Sequence, residues 1–195
     1  DLALCELPLA DSVQYCQRAA DTFQKADMRF LYIRALIRIA QAHQQRSNLE
    51  EARDSYRAAL AMLETTTADS DTHALTRTIQ LANLCQVESR LGATGALLTC
   101  QHALDGFSSI AAETLEQYQL LRAATTSAAA QAATAEGRGT TALNYFKESA
   151  ALYLAEKEPN HLAAASALLN LGHLQARIEA HQNEAPATFK RALEL

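Results

Sequence analysis

Small and large apolar residues recur along this chain at i, i+4 and i+7, the spacing that puts them on one face of a helix. Five large residues carry the pattern: Cys16, Tyr56, Cys100, Phe146 and Phe189. Four positions before each stands a small residue (Ser12, Ala52, Ala96, Ala142, Ala185), and three positions after each stands another (Ala19, Ala59, Ala103, Ser149, Ala192). The intervals between the large residues are 40, 44, 46 and 43. A small-large-small stripe lets a partner helix approach closely around a single knob, and its recurrence at near-constant spacing marks an internal repeat.

A second stripe precedes four of the five copies, an apolar residue followed three positions later by an apolar-small pair. It reads Leu36-Ile39-Ala40, Leu81-Leu84-Cys85, Thr126-Ala129-Ala130 and Leu168-Leu171-Gly172. From its small residue to the first small residue of the next stripe is 12, 11, 12 and 13 residues. That distance leaves room only for a short turn, so each unit is an antiparallel helix pair. Ser47-Asn48-Leu49-Glu50 reads as a capping box. Gly92, and Gly137 with Gly139, supply the left-handed conformation that ends a helix. Asn160 after Pro159 reads as an N-cap, and Thr65 through Asp71 as a loop. Helices are expected near 9–26, 29–46, 49–66, 72–91, 94–108, 112–136, 140–156, 160–181 and 185–195.

Composition agrees with this pattern. The chain has 195 residues, with 41 Ala and 29 Leu against 2 Val and 6 Ile, which favours helices over strands. Without Ala, 54 larger apolar residues remain, thin for a single globule and suited to a layered stack of helix pairs. The expected fold class is all-α, an α-α superhelical solenoid of about nine antiparallel helices.

The residues Ala40…Ala52…Tyr56…Ala59, Leu84-Cys85…Gly92…Ala96…Ala103, Gly137…Ala142…Phe146 and Leu171-Gly172…Ala185…Phe189…Ala192 resemble the tetratricopeptide repeat (TPR). The resemblance covers nearly the whole chain. It implies one solenoid over 1–195: a trailing helix of a partial repeat (1–28), then repeats at 29–68, 69–110, 111–157 and 158–195. The usual unit has about 34 residues; these are longer, and look like those of kinesin light chain, LGN-type polarity adaptors, bacterial peptide-sensing regulators and the cohesin-loader subunit. The sequence departs from the family pattern in having no Trp. The position three after the small residue, where an aromatic is expected, holds His43, Glu88, Ala133 and Gln175.

The free face follows from geometry. At about 100° per residue, with Ala40 at 0°, the packing residues Leu36 and Ile39 fall at about −40° and −100°. Arg34, Arg38, Gln41 and Gln45 fall on the far side, at about 100° to 160°. The matching stripes are Ile79, Asn83, Gln86 and Arg90; Ala124, Ala128, Gln131 and Ala135; and Ser166, Asn170, His173 and Arg177. Two rows stand out, Gln41-Gln86-Gln131-His173 and Arg38-Asn83-Ala128-Asn170. Side-chain amides both donate and accept, so such a ladder suits the backbone of a bound peptide. The TPR resemblance implies that peptides lie along this wall. Its charges are Arg34, Arg38, Arg90 and Arg177, with no carboxylate in the stripes, so an acidic or C-terminal-carboxylate peptide is expected. The three alanines would accept a bulky apolar side chain or another helix.

Net charge is −5 and pI about 5.7, which argues against direct binding of nucleic acid or an anionic membrane. No run is apolar enough for a membrane span, and no signal peptide is visible. Cys5, Cys16, Cys85 and Cys100 are widely separated and contain no C-x-x-C, pointing to an intracellular, cytoplasmic setting, with the nucleus also open, and Cys16, Cys85 and Cys100, at knob and small positions, read as buried structural cysteines. Cys5 is a candidate reactive thiol. Gly137-Arg138-Gly139-Thr140-Thr141-Ala142 matches G-x-G-x-x-A but follows a helix, where a dinucleotide site requires a strand. His173 and His181 lie eight apart on one helix without a third ligand, so no metal is expected. Glu113/Glu116 and Glu50/Asp54 read as first-turn charges. Glu88 falls inside the packing arc and is expected to pair with His43 as a buried structural contact.

The expected function is a non-catalytic interaction module, a scaffold or adaptor holding a peptide or helix of a protein partner, with no enzyme activity and no cofactor. The alternative is a sensor or oligomerisation segment of a multidomain regulator whose groove is filled in cis or by a second copy. The last helix ends on an uncovered packing face, and self-association there, or further repeats in a longer parent chain, is expected.

Overall fold

In the computed structural model, residues 12–65, 71–155 and 158–195 are described, and every regular element among them is helical. The elements are α1 (Ser12–Lys25), α2 (Arg29–Gln45), α3 (Leu49–Glu64), α4 (Asp71–Leu91), α5 (Ala96–Ser108), α6 (Ala112–Glu116), α7 (Gln119–Ala135), α8 (Gly139–Leu154), α9 (His161–Arg177) and α10 (Ala185–Leu193), with a 3-10 turn at Glu179–Glu184 before α10. Helices pack in chain order: α2 on α3, α4 on α5, α7 on α8, α9 on α10. Each second helix then packs on the first helix of the next pair. This is an all-α, solenoid-like stack. Cys5, the 66–70 part of the expected loop and the Ser12 side chain lie outside the described residues.

The repeat stripes are the seams. Ala19, Ala52, Ala59, Ala96, Ala103, Ala142, Ala185, Ala192 and Ser149 are all buried, as are the knobs Cys16, Tyr56, Cys100 and Phe146. Phe189 is half-buried and lies under Gly172, where an added Cβ would stand 2.7 Å from its ring. The glycine is therefore required by close approach of α9 and α10.

Three of the pairs turn in the same way. Ser47, Gly92 and Gly137 hold φ of 61°, 62° and 74°. The next backbone N–H closes back on the helix: Asn48 to His43 O at 2.9 Å, Ala93 to Glu88 O at 2.9 Å, Arg138 to Ala133 O at 2.8 Å. This is the Schellman arrangement, which satisfies carbonyls left open at a helix C-terminus.

Several expectations are corrected. Ser47 does not form a capping box, because its left-handed backbone ends α2; the N-cap of α3 is Asn48, without a side-chain bond, and Glu50 pairs with Arg53 at 2.6 Å. Gly139 is not a terminator but the first residue of α8, and its missing Cβ leaves room for Ile178 Cδ1. The helix expected over 112–136 is broken between α6 and α7 at Tyr118 (φ −114°, ψ 10°), where Leu115 and Tyr118 turn onto the α3–α5 core. The helix expected to run to 181 ends at Arg177, because Ile178 is extended (φ −104°, ψ 111°). His173 and His181 thus do not share a helix. Asn160 does cap α9, its side chain accepting from Ala163 N at 3.0 Å.

Cys85 and Cys100 are not separate buried thiols. The small position of α4 faces the knob position of α5, with Cα atoms 4.8 Å apart, and the two are joined by a disulfide. This bond staples the second pair along its seam.

Candidate interaction groove

The expected stripe residues lie outside the packed seams. Arg34, Arg38, Gln45, Arg90, Gln131, His173 and Arg177 are exposed, and Gln41, Asn83, Gln86 and Asn170 are half-buried. Their helices carry them there because the opposite arc of each is committed to its seam: Leu36, Ile39 and Ala40 in α2, and Leu168 and Leu171 in α9, are buried.

The structure brings four of these residues together. A cavity of about 300 Å³ opens between α7 and α9, lined by Gln131, Asn170, His173 and Arg177 with Thr134, Phe146 and Leu174. Phe146, the knob of α8, forms its floor, and His173 stands edge-on to Phe189 with ring centroids 5.2 Å apart. An apolar floor under an amide, an imidazole and a guanidinium can hold an apolar side chain and anchor a carbonyl or carboxylate beside it.

The other stripes are arranged differently. Arg38 Nη1 donates to Gln41 Oε1 at 3.1 Å, so these two side chains form a pair along α2. The alanine stripe does not present a fully open surface: Ala128 is buried in the same cluster as Cys85, because α4 and α7 pack directly on each other. The helix-accepting surface expected of those alanines is in part already occupied by α4.

Charge is segregated between the two helix classes. The first helices of the four pairs, α2, α4, α7 and α9, carry Arg29, Arg34, Arg38, Arg77, Arg90, Arg122 and Arg177 but only two carboxylates, Asp71 and Glu88. Arg29, Arg77 and Arg122 are engaged by Asp27, Glu64 and Glu148. Arg90 and Arg177 carry no ion pair among the described residues. By helical position only Arg34, Arg38, Arg90 and Arg177 of these charges fall on the free face, with neither carboxylate, in a protein of net charge −5.

Glu88 is buried but does not pair with His43. Its Oε1 accepts from Arg57 Nη2 at 2.6 Å and Nε at 3.1 Å, and its Oε2 accepts from Thr99 Oγ1 at 2.7 Å. The reason is stacking order: α3 packs on α4, so the nearest cation is Arg57 of α3, across the seam. His43 Nδ1 is buried without a partner among the described residues. Gln175 occupies the equivalent position in α9 and repeats the arrangement, accepting from Thr188 Oγ1 at 2.7 Å and donating to Glu184 at 2.8 Å. Thr99 and Thr188 each directly precede a knob, Cys100 and Phe189. The threonine contacts are polar clasps within pairs, and Arg57 ties Glu88 to the preceding pair, a structural role. Among the described residues no group of three or more His, Cys, Asp or Glu is placed to hold a metal ion, and no helix is long and apolar enough to cross a membrane.

The stripes leave one set of residues unnamed. Ten residues before the small residue of each first helix stand Phe30, Leu75, Leu120 and Leu162, at about 80° on the same geometry, beside the amide rows. Three are among the most exposed large apolar side chains: Phe30 at 69%, Leu120 at 49% and Leu162 at 84%. The equal spacing was readable in the sequence; the exposure was not, because an apolar residue at a helix start reads equally well as core.

No family model matches the sequence, and no curated protein matches it. Among solved structures the chain is similar to BtubC (BKLC) from P. vanneervenii, with a TM-score of 0.66 and 17% identity over 97% of this chain and 74% of that one. At that identity the likeness speaks for the fold alone, and it agrees with the all-α solenoid-like stack described above.

Proposed function

We propose that this protein is a non-catalytic interaction module of the TPR type, holding a peptide or helix of a partner against the free face of α2, α4, α7 and α9. One observation carries the reading: Gln131, Asn170, His173 and Arg177, singled out by repeat position, line one cavity floored by Phe146. The segregation of Arg onto the same face supports an acidic partner over a basic one or a nucleic acid.

The test is a pull-down with the intact protein, alongside one variant carrying Asn83→Ala, Gln86→Ala and Arg90→Ala and another carrying Asn170→Ala, His173→Ala and Arg177→Ala. These side chains are outside the seams, so melting temperatures should stay near that of the parent. Partners captured by the parent should be lost from both variants. Capture that is unchanged in both would remove the groove from the function.

The setting is proposed separately. The Cys85–Cys100 disulfide favours an oxidising compartment over the cytoplasmic one expected from cysteine spacing. Counting alkylated thiols in protein trapped at harvest decides between them.

A further inference from the structure

The second and fourth pairs carry the same three positions across their seams. In the second, Arg57 stands one residue after the knob of α3, Glu88 three after the small residue of α4, and Thr99 one before the knob of α5. The buried Glu88 carboxylate takes up the charge of Arg57 and accepts from Thr99. In the fourth, the same positions hold Lys147 of α8, Gln175 of α9 and Thr188 of α10. An amide thus replaces the carboxylate. Bulk is lost beside it as well: four residues after the knob, α3 and α5 have Leu60 and Leu104, and α8 has Ala150. A cavity of about 410 Å³ opens here between α8 and α10, with Leu168 and Leu171 of α9 beneath it. It shares no lining residue with the cavity between α7 and α9.

We infer that this second cavity binds a small amphiphilic monocarboxylate, its apolar body against Ala150, Leu168 and Leu171 and its carboxylate at Arg191 beside Lys147. The site is separate from the groove and does not depend on the groove reading.

Size, spare polar capacity and charge all support this ligand class. Small-molecule sites are mostly cavities of about 300–1,000 Å³ with apolar walls and a few polar groups. Here leucines and alanines form the walls, and the polar groups are Lys147, Gln175, Glu184, Thr188 and Arg191. Gln175 is only 1% exposed. Its oxygen accepts from Thr188, and its nitrogen donates to Glu184 at 2.8 Å. An amide has two N–H donors, and among the described residues no acceptor takes the second. Arg191 likewise has no ion pair among the described residues. Glu184 is already engaged, accepting from His181 and Gln175 and lying 3.5 Å from Lys147. Lys147 and Arg191 set against Glu184 leave one positive charge, which a monoanion balances. The planar guanidinium of Arg191 suits a carboxylate, which it can meet through two parallel N–H bonds.

The test is isothermal titration of the intact protein with octanoate, alongside octylamine, octanol, acetate and octyl phosphate. Variants are Arg191→Ala, the cavity-filling Ala151→Leu and Ala187→Leu at exposed lining positions, and the groove variant Asn170→Ala with His173→Ala and Arg177→Ala. Circular-dichroism melts establish which variants fold, and either leucine variant suffices. The expected result is one octanoate per chain, with octylamine unbound and acetate and octanol weaker by roughly tenfold or more. Arg191→Ala and the leucine variants should each weaken octanoate by a similar factor, and the groove variant should bind as the parent does. No binding of octanoate at millimolar concentration overturns the inference. So does octylamine or octyl phosphate bound more tightly than octanoate, or an affinity unchanged in every cavity variant. Binding lost in the groove variant alone puts the ligand in the groove and overturns it too.

Discussion

At the residue scale, the turn between paired helices shows what a single backbone angle costs. Gly92 has open space around its missing Cβ and a φ of 62°, so its only requirement is conformational. Gly92→Ala should therefore cost about 1–2 kcal/mol through the left-handed penalty alone. Ser47 pays that penalty already at a φ of 61°. Ser47→Gly removes it but loosens the unfolded chain, and the difference should raise stability by about 0.5–1 kcal/mol. Urea titrations of both variants measure the two effects, and a loss of stability in Ser47→Gly would show that the serine side chain contributes there. A second residue-scale prediction concerns Glu184. Its carboxylate accepts from His181 Nδ1 at 2.8 Å and lies 3.5 Å from Lys147 Nζ, and the hydrogen bond with His181, then Lys147, holds its pKa below the usual 4.5. A lowered carboxylate pKa contributes stability above the unfolded value that is lost as pH falls through the folded one. The window is thus below about pH 4.5. Carbon NMR should show Glu184 titrating below 4.5 and moving up in His181→Ala.

At the scale of elements, seams of Ala against one knob decide which helices pair, and a few polar or covalent clasps fix them. The Cys85–Cys100 bond closes a loop of 15 residues between α4 and α5. Loop-closure entropy for that length is worth about 3 kcal/mol. Cys100→Ala should lower the unfolding free energy by up to that amount, and should matter most for the second pair. Equal melting curves with and without reductant would count against the bond in solution. The Glu88 and Gln175 clasps act in the same seams without covalent chemistry. Where the third pair has Ala133 at this position, the residue before the knob is Tyr145, half-buried against the same core, so bulk replaces polarity.

At the scale of the whole molecule, the stack is held by neighbour-to-neighbour contacts, so protection from hydrogen exchange should follow local packing rather than a single global value. α10 is nine residues long, packs on α9 and its preceding 3-10 turn, and keeps its knob Phe189 only half-buried. Its amides should exchange first. Those of α4 and α7, which pack on each other as well as on their own partners, should exchange last. Uniform protection across both would refute a solenoid-like distribution of stability.

Period and composition alone determined that the chain is all-helical and spaced the small-large-small stripes that become its seams, but not the breaks at Tyr118 and Ile178. Helix and stripe depend on local geometry, in which 3.6 residues per turn sort side chains into arcs whatever lies beyond. Tertiary structure decided what meets across the stack. Glu88 found Arg57 rather than His43, Cys85 found Cys100, and Ala128 was buried by α4, because all three depend on the rotation and offset of one helix against the next. A one-dimensional pattern does not contain those quantities. The apolar ledge of Phe30, Leu120 and Leu162 lies between the two cases: the chain spaces it, and only the packed stack shows that nothing within the described residues covers it fully.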